Sequence, residues 1–290
     1  MTRTARRRIA LLASLLALAA LAVQLNRTQL WEDAQLHAGW RLQHHVLLGS
    51  CRLLDRDQVT RARGRGDDCA AAFERIRREE ALAAESRHGM GRSTFIFRDM
   101  EAALRVAGYE AVAISYPSLT KGIAGHADQL EALLNGLQDT DRVSFVTHSL
   151  GGLVVRELLN RDGAWRDKVA LGRVVMLAPP NQGSELAVAL EPLPPYAWIG
   201  GSSAVEIAEG PPFAGLPADV EVAVIAGGTA DERGFNPLLT GNNDGIVTVM
   251  ETELAGARDR MTVNAIHTLI ASAPETIDAT LKFLDSGRLR

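Results

Sequence analysis

From about position 88 onward, apolar residues fall in short runs that alternate between two spacings. Phe97, Met100 and Leu104 recur at three- and four-residue intervals and predict a helix, whereas "EAVAISY", Glu110 to Tyr116, reads as a strand. Leu130, Leu133, Leu134 and Leu137 return to helical spacing, and Val143, Phe145 and Val146 form the next strand. Leu153, Val154, Leu158 and Leu159 are helical again, followed by strands in "RVVMLAP" from Arg173, "VEVAVIAGG" from Val220 and "RMTVNAI" from Arg260. A last helix runs from Pro274 to Leu284. Strand–helix alternation of this kind predicts an α/β domain with a mostly parallel central sheet and helices on both faces.

The first part of the chain is patterned differently. Arg3, Arg6, Arg7 and Arg8 precede the apolar run Ile9 to Leu25, which carries no charge, the order of a secretory signal or an N-terminal membrane anchor. The run has no polar face, continues past the small residues Ala20 and Ala22, and is followed by Trp31, which favours an uncleaved anchor. Between Thr28 and Glu85 the chain is rich in Arg, Glu, Leu and Ala and is interrupted by "RARGRGDD", predicting two helical pieces joined by a turn. The expected organisation is an anchor or signal over 1–27, a helical stalk or cap over 28–87, and a catalytic domain over 88–290. Export would place Cys51 and Cys69 in an oxidising compartment, as a disulfide or as two free thiols.

Composition narrows the field. With 290 residues and 47% apolar content the chain can bury one substantial core, and a net charge of −4 supplies no global basic surface for nucleic acid. His37, His44 and His45 have no carboxylate or cysteine at ligand spacing and read as solvated rather than metal-binding.

The candidate chemistry lies in "RVSFVTHSLGGLVV", where Thr147, His148 and Ser149 and then two glycines interrupt an apolar run. A strand ends and a helix begins there. Such a turn can lift the Ser149 hydroxyl out of the sheet, although Thr147 stands where a G-x-S-x-G pattern has its first glycine, and a helix-capping serine is the ordinary alternative. A serine nucleophile needs a base, and the base an orienting acid. His267, after a late strand and before the last helix, is the candidate base. Asp244, in the polar loop "LLTGNNDGIVTV", is the candidate acid, with Asp231, Glu232 and Glu251 as rivals and an Asp-Gly turn as its plain alternative. The oxyanion of an acyl-transfer intermediate needs backbone donors. Leu150 supplies one, and Met90, in "RHGMGRS" between glycines 89 and 91, is the candidate for the second.

Taken together, "RHGMGRS", "FVTHSLGGLVVR", "MLAPPNQGSELA", "NNDGIVTV" and "NAIHTLI" resemble the α/β-hydrolase esterases and lipases, particularly exported bacterial triacylglycerol-lipase-like proteins, over His88 to Leu284. The resemblance implies Ser149 as nucleophile, Asp244 as acid, His267 as base, Met90 and Leu150 as oxyanion donors, and a packing role for His148. It requires no cofactor, and by analogy a calcium ion could sit near Asn242 and Asn243. One departure is the charged "LAAESR" before His88, where such proteins carry an apolar strand. The activity implied is hydrolysis of a small-molecule ester or lipid by a membrane-anchored or exported enzyme. Leu186 to Pro217, rich in Pro and Gly, would form a lid, an acyl-binding wall or a surface excursion. Competing readings are a membrane-anchored binding protein that keeps the fold with weak catalysis, and acyl transfer or amide hydrolysis through the same residues.

Overall fold

The computed structural model describes residues 30–65, 67–80, 88–92, 96–116, 121–138, 140–190, 194–210, 215–231 and 233–290. The apolar run Ile9–Leu25 lies outside them, and among the described residues no helix is long and apolar enough to cross a membrane.

Where a helical stalk is expected, the chain instead forms four antiparallel strands, β1 (Trp31–His37), β2 (Trp40–His45), β3 (Ser50–Leu54) and β4 (Thr60–Arg65), in sequential order, followed by α1 (Asp67–Glu80). The Arg-, Leu- and Ala-rich composition suits a helix, but Leu42, Cys51 and Leu53 pack with Cys69 and Phe73 of α1, and along β4 burial alternates with period two, leaving Arg61, Arg63 and Arg65 exposed. Ala38 and Gly39, both at positive φ, turn β1 into β2. Cys51 and Cys69 form a disulfide that ties β3 to α1.

The rest of the chain builds the expected sheet from β5 (His88–Arg92), α2 (Arg98–Val106), β6 (Glu110–Ile114), α3 (Ile123–Asn135), β7 (Arg142–His148), α4 (Leu150–Leu159), β8 (Ala170–Leu177), α5 (Glu185–Leu190), α6 (Pro194–Glu209), β9 (Val222–Gly228), β10 (Asp259–Asn264) and α7 (Pro274–Ser286). The strand order is β10-β9-β8-β7-β5-β6, and every pairing is parallel. Strand alternation divides the core in two. Phe145, Val174, Met176, Val222 and Val224 pack with α3 and α4, while Val146, Val175, Leu177, Ala223 and Ile225 pack with α2 and α7. The chain runs outward from β5 to β6 and then returns to place β7 on the other side of β5. In open parallel sheets such a reversal opens a crevice at the carboxyl ends of the strands, and β7 delivers Ser149 to that crevice.

Candidate active site

Ser149 lies between the end of β7 and the first residue of α4, with φ 54° and ψ −128°. That backbone conformation costs a non-glycine residue about 1–3 kcal/mol, and the surroundings enforce it. Ser149 N–H donates to the Leu177 carbonyl of β8 at 2.9 Å, and the Ser149 carbonyl accepts from Gly152 N–H at 2.9 Å. A Cβ at Gly152 would stand 2.8 Å from Pro179 Cβ, so glycine lets α4 start close against the chain leaving β8. Thr147 is buried, and its Cβ lies 3.5 Å from where a Gly151 Cβ would stand. That separation is an ordinary contact, so threonine at 147 is accommodated without crowding the turn.

Two loops from neighbouring strands bring the candidate acid and base together. Asp244, in the loop after β9, and His267, in the loop after β10, are only 2% and 6% exposed, with His267 Nδ1 2.7 Å from Asp244 Oδ2. The other carboxylate oxygen, Oδ1, accepts from Ile246 N–H at 3.0 Å and Val247 N–H at 2.7 Å, and His267 N–H donates to the Asp244 carbonyl at 2.9 Å. Asn243 stiffens the loop by accepting from Asn236 and Gly245 N–H and donating to the Asn236 and Gly241 carbonyls. The histidine is thus held at Nδ1 with Nε2 left for chemistry.

His148 links this pair to the serine. Its Nε2 lies 2.9 Å from the His267 carbonyl oxygen, and the two rings are 4.6 Å apart. Since Ser149 follows His148 directly, the nucleophile, base and acid candidates share one end of the sheet. Among the described residues no hydrogen bond joins Ser149 Oγ to His267. In unliganded sites such bonds are often long and tighten only when substrate binds.

The mature lipase BlEst2 of Bacillus licheniformis superposes on this architecture with a TM-score of 0.50 at 20% identity, covering 69% of this chain and 89% of that one. The chain has the α/β-hydrolase fold. The metagenomic carboxyl esterase MGS0156 is less similar (TM-score 0.44, 19% identity, 64% of this chain and 65% of that one). So is an esterase from Thermogutta terrifontis (TM-score 0.46, 13% identity, 70% and 90%). The model of a domain of unknown function, DUF7379, matches residues 81–191, less than half of the chain. No curated protein matches the chain.

Within this α/β-hydrolase fold, Met90 is not where an oxyanion donor is expected. It lies mid-strand in β5, paired with Val112 on one side and Phe145 on the other. Ser149 comes four residues beyond Phe145, about 13 Å further along the strand direction. The segment "HGMGR" is itself the strand, so a donor level with Ser149 must come from beyond Arg92, where residues 93–95 lie outside the described residues. The charged segment 81–87 also lies outside them. Leu150 is the first residue of α4, where its N–H has no partner within the helix.

Glu251 has other work than the acid's. Its Oε2 accepts from Thr248 N–H at 2.6 Å and its Oε1 from Glu185 N–H at the start of α5. Asp231 pairs with Arg233 on the surface, and Glu232 lies outside the described residues. Asn242 and Asn243 do not fit a calcium site, because Asn242 Oδ1 accepts from Thr229 N–H at 2.8 Å and Asn243 Oδ1 is taken by two backbone donors. His37, His44 and His45 lie on strands rather than helices, and only His44 is solvated: His37 is half-buried and His45 is buried, its Nδ1 accepting from Leu47 and Leu48 N–H at 3.2 Å; no group of metal-ligating side chains occurs among the described residues.

Asn181 escaped the sequence reading. Buried in the loop after β8, it accepts from Arg156 Nη1 of α4 at 2.9 Å and donates to the Thr252 carbonyl at 2.9 Å, bracing the helix that begins at the serine. Burial pulls the Arg156 pKa below its ordinary value. The available signal was Arg156 itself, a charge inside the apolar stretch "GGLVVRELL".

Proposed function

We propose that this chain is a serine carboxylic-ester hydrolase. His267 Nε2 takes the Ser149 proton as Oγ attacks the ester carbonyl, and the imidazolium formed is stabilised by Asp244 through Nδ1–H. The oxyanion is met by Leu150 N–H and by a second donor from the chain beyond Arg92. His267 then protonates the departing alcohol, and the acyl-Ser149 ester is hydrolysed by a water that the same histidine deprotonates. The observation that carries this reading is the placement of the buried Asp244–His267 pair, through His148, beside the positive-φ turn at Ser149.

The helices α5 and α6 serve as a wall of the site. Ser203 Oγ of α6 donates to the Lys121 carbonyl at 2.9 Å, and Glu206 Oε2 accepts from Ile123 N–H at 2.6 Å, capping α3 and docking this half of α6. The side chains of Tyr196, Trp198 and Ile199, and Phe213 as a whole, lie outside those described. The enzyme works outside the cytoplasm, held by Ile9–Leu25 or released after its cleavage; the Cys51–Cys69 disulfide favours an oxidising compartment.

A fluorophosphonate label tests serine activation without requiring the right substrate. Wild type should be labelled at Ser149 and should hydrolyse p-nitrophenyl esters. Ser149→Ala should keep the wild-type circular dichroism while losing labelling and about 10⁶ of turnover. Retention of most activity by that variant would sink the assignment. Absent labelling of wild type would favour a binding protein, and transfer of the acyl group to an added amine or alcohol in preference to water would favour an acyltransferase.

A further inference from the structure

Side chains on a strand alternate between faces, so Val146 and His148 of β7 point to the same side of the sheet. Val146 packs there in the cluster that holds Ala265, Ile270 and Ala271, the buried residues that flank the loop of the candidate base. An apolar side chain at 148 would simply extend that cluster. The chain instead carries a buried imidazole, whose Nε2 lies 2.9 Å from the backbone carbonyl oxygen of His267. A carbonyl only accepts, so this Nε2 carries a proton and donates it.

His267 is held through three of its polar groups. Its N–H donates to the Asp244 carbonyl at 2.9 Å, its Nδ1 faces Asp244 Oδ2 at 2.7 Å, and its carbonyl accepts from His148. The remaining group, Nε2, is the one the proposed reaction uses. Asp244 supplies two of the three contacts and so ties the base to the acid, whereas His148 ties the base to the strand of the nucleophile, one residue before Ser149. Side-chain packing holds this loop only in part, because Asn264, Ile266, Thr268 and Leu269 are exposed. The backbone at 148 is fixed by contrast: His148 pairs with Leu177 of β8, and the next residue, Ser149, donates its N–H to the Leu177 carbonyl at 2.9 Å. His148 is therefore a post set in the sheet against which the loop of the base rests, the two rings 4.6 Å apart.

We infer that His148 is a positioning residue for the proposed reaction: by donating from Nε2 to the His267 carbonyl it sets the distance between the base and the Ser149 hydroxyl. The inference rests on the proposed hydrolase reading and goes beyond the packing role that the family resemblance implies. Removing the donor leaves Asp244 and His267 paired with each other but lets the pair drift from the serine. A misplacement of about 1 Å costs on the order of 100-fold in rate. In this role His148 touches no reacting atom, so the loss falls on kcat and leaves KM in place.

The test compares wild type with His148→Phe, His148→Gln and His148→Asn, each as the full chain in detergent, by kcat and KM for p-nitrophenyl acetate, by the rate of fluorophosphonate labelling and by melting temperature. Phenylalanine keeps a ring and removes the donor. The glutamine amide reaches to where Nε2 stood, whereas the shorter asparagine amide reaches only to the position of Nδ1. His148→Phe should lower kcat and the labelling rate by about 30- to 100-fold while KM stays within about threefold of wild type. His148→Gln should recover both rates to within about threefold of wild type, and His148→Asn should remain about tenfold or more below His148→Gln. A kcat in His148→Phe within about threefold of wild type overturns the inference, whatever its melting temperature, and makes His148 a packing residue. A glutamine variant no faster than the asparagine variant also overturns it, because the placement of the donor then does not matter. Should phenylalanine prevent folding, the glutamine-to-asparagine ratio of kcat decides alone. If wild type is neither labelled nor active on any ester, the hydrolase reading itself has failed, an outcome distinct from an active enzyme indifferent to residue 148.

Discussion

Replacing Asp244 by Asn tests the acid assignment through a consequence of its hydrogen bonds. Oδ1 accepts from two backbone groups, Ile246 N–H at 3.0 Å and Val247 N–H at 2.7 Å, while Oδ2 faces His267 Nδ1 at 2.7 Å. An asparagine has a single acceptor end, and the two backbone donors claim it, which turns the NH₂ group toward His267. Nδ1 must then accept, the proton moves to Nε2, and the ring can no longer take a proton from Ser149. A wrong tautomer of this kind costs about 10⁴ in kcat, or about 5.4 kcal/mol at 1.36 kcal/mol per decade. The cost in stability is far smaller, about 1–2 kcal/mol for one charge-assisted bond weakened at a site that keeps its shape. Steady-state hydrolysis of p-nitrophenyl acetate by wild type, Asp244→Asn and Glu251→Gln, each checked by thermal melting, separates the two quantities. Glu251→Gln should lose no more than a few-fold in kcat, because its carboxylate caps a loop and a helix start away from the histidine. A loss under tenfold in Asp244→Asn, or a greater loss in the Glu251 variant, would refute the tautomer argument.

Two further measurements address stability and one addresses location. Glu221 joins Arg173 of β8 to Arg258, and its hydrogen bond to Arg173, ahead of the opposing effect of burial, holds its carboxyl below the ordinary 4.5. A lowered folded-state value means the stabilisation is present above about pH 4.5 and is lost as the pH falls through the folded value. Glu221→Gln should therefore cost about 0.5–1 kcal/mol at pH 7, and denaturant curves that still separate from wild type at pH 2–3 would contradict this. The disulfide spans 18 positions, so Cys51→Ser with Cys69→Ser should lower stability by about 3 kcal/mol; two titratable thiols in native protein would show that the bond does not form. On fractionation the protein should follow membranes and be released by detergent but not by high salt, whereas a soluble chain beginning near Val23 would replace the anchor with a cleaved signal.

Much of this molecule was legible one residue at a time. Every strand and helix read between Phe97 and Leu284 appears within a few residues of its expected place, because a strand buried on both faces must be apolar throughout and an amphipathic helix must repeat near every third or fourth residue. The candidate residues Ser149, Asp244 and His267 stand out for a related reason: each is polar and follows an apolar strand, and the fold brings all three to the carboxyl end of the sheet. Position 90 was misread because "HGMGR" has too few large side chains to look like a strand. Its backbone nonetheless pairs on both sides, and the ladder supplies what the composition lacks.

The class of fold, the order of its elements and the polar residues at the strand ends can be read locally, since they depend on periodicities that a chain carries in each short stretch. Which of the acidic residues meets His267 depends on contacts between distant segments, because Asp244 and Glu251 differ not in chemistry but in which donors surround them. The tertiary structure also decided that residues 31–65 are strands: their helix-compatible composition is overridden by a disulfide to α1, by the pairing of the four strands, and by a buried carboxylate at Asp33 whose partner Ser115 is 82 positions away. Contacts so distant along the chain leave no periodic trace in the sequence, and they exist only once loop closure has brought the two segments together.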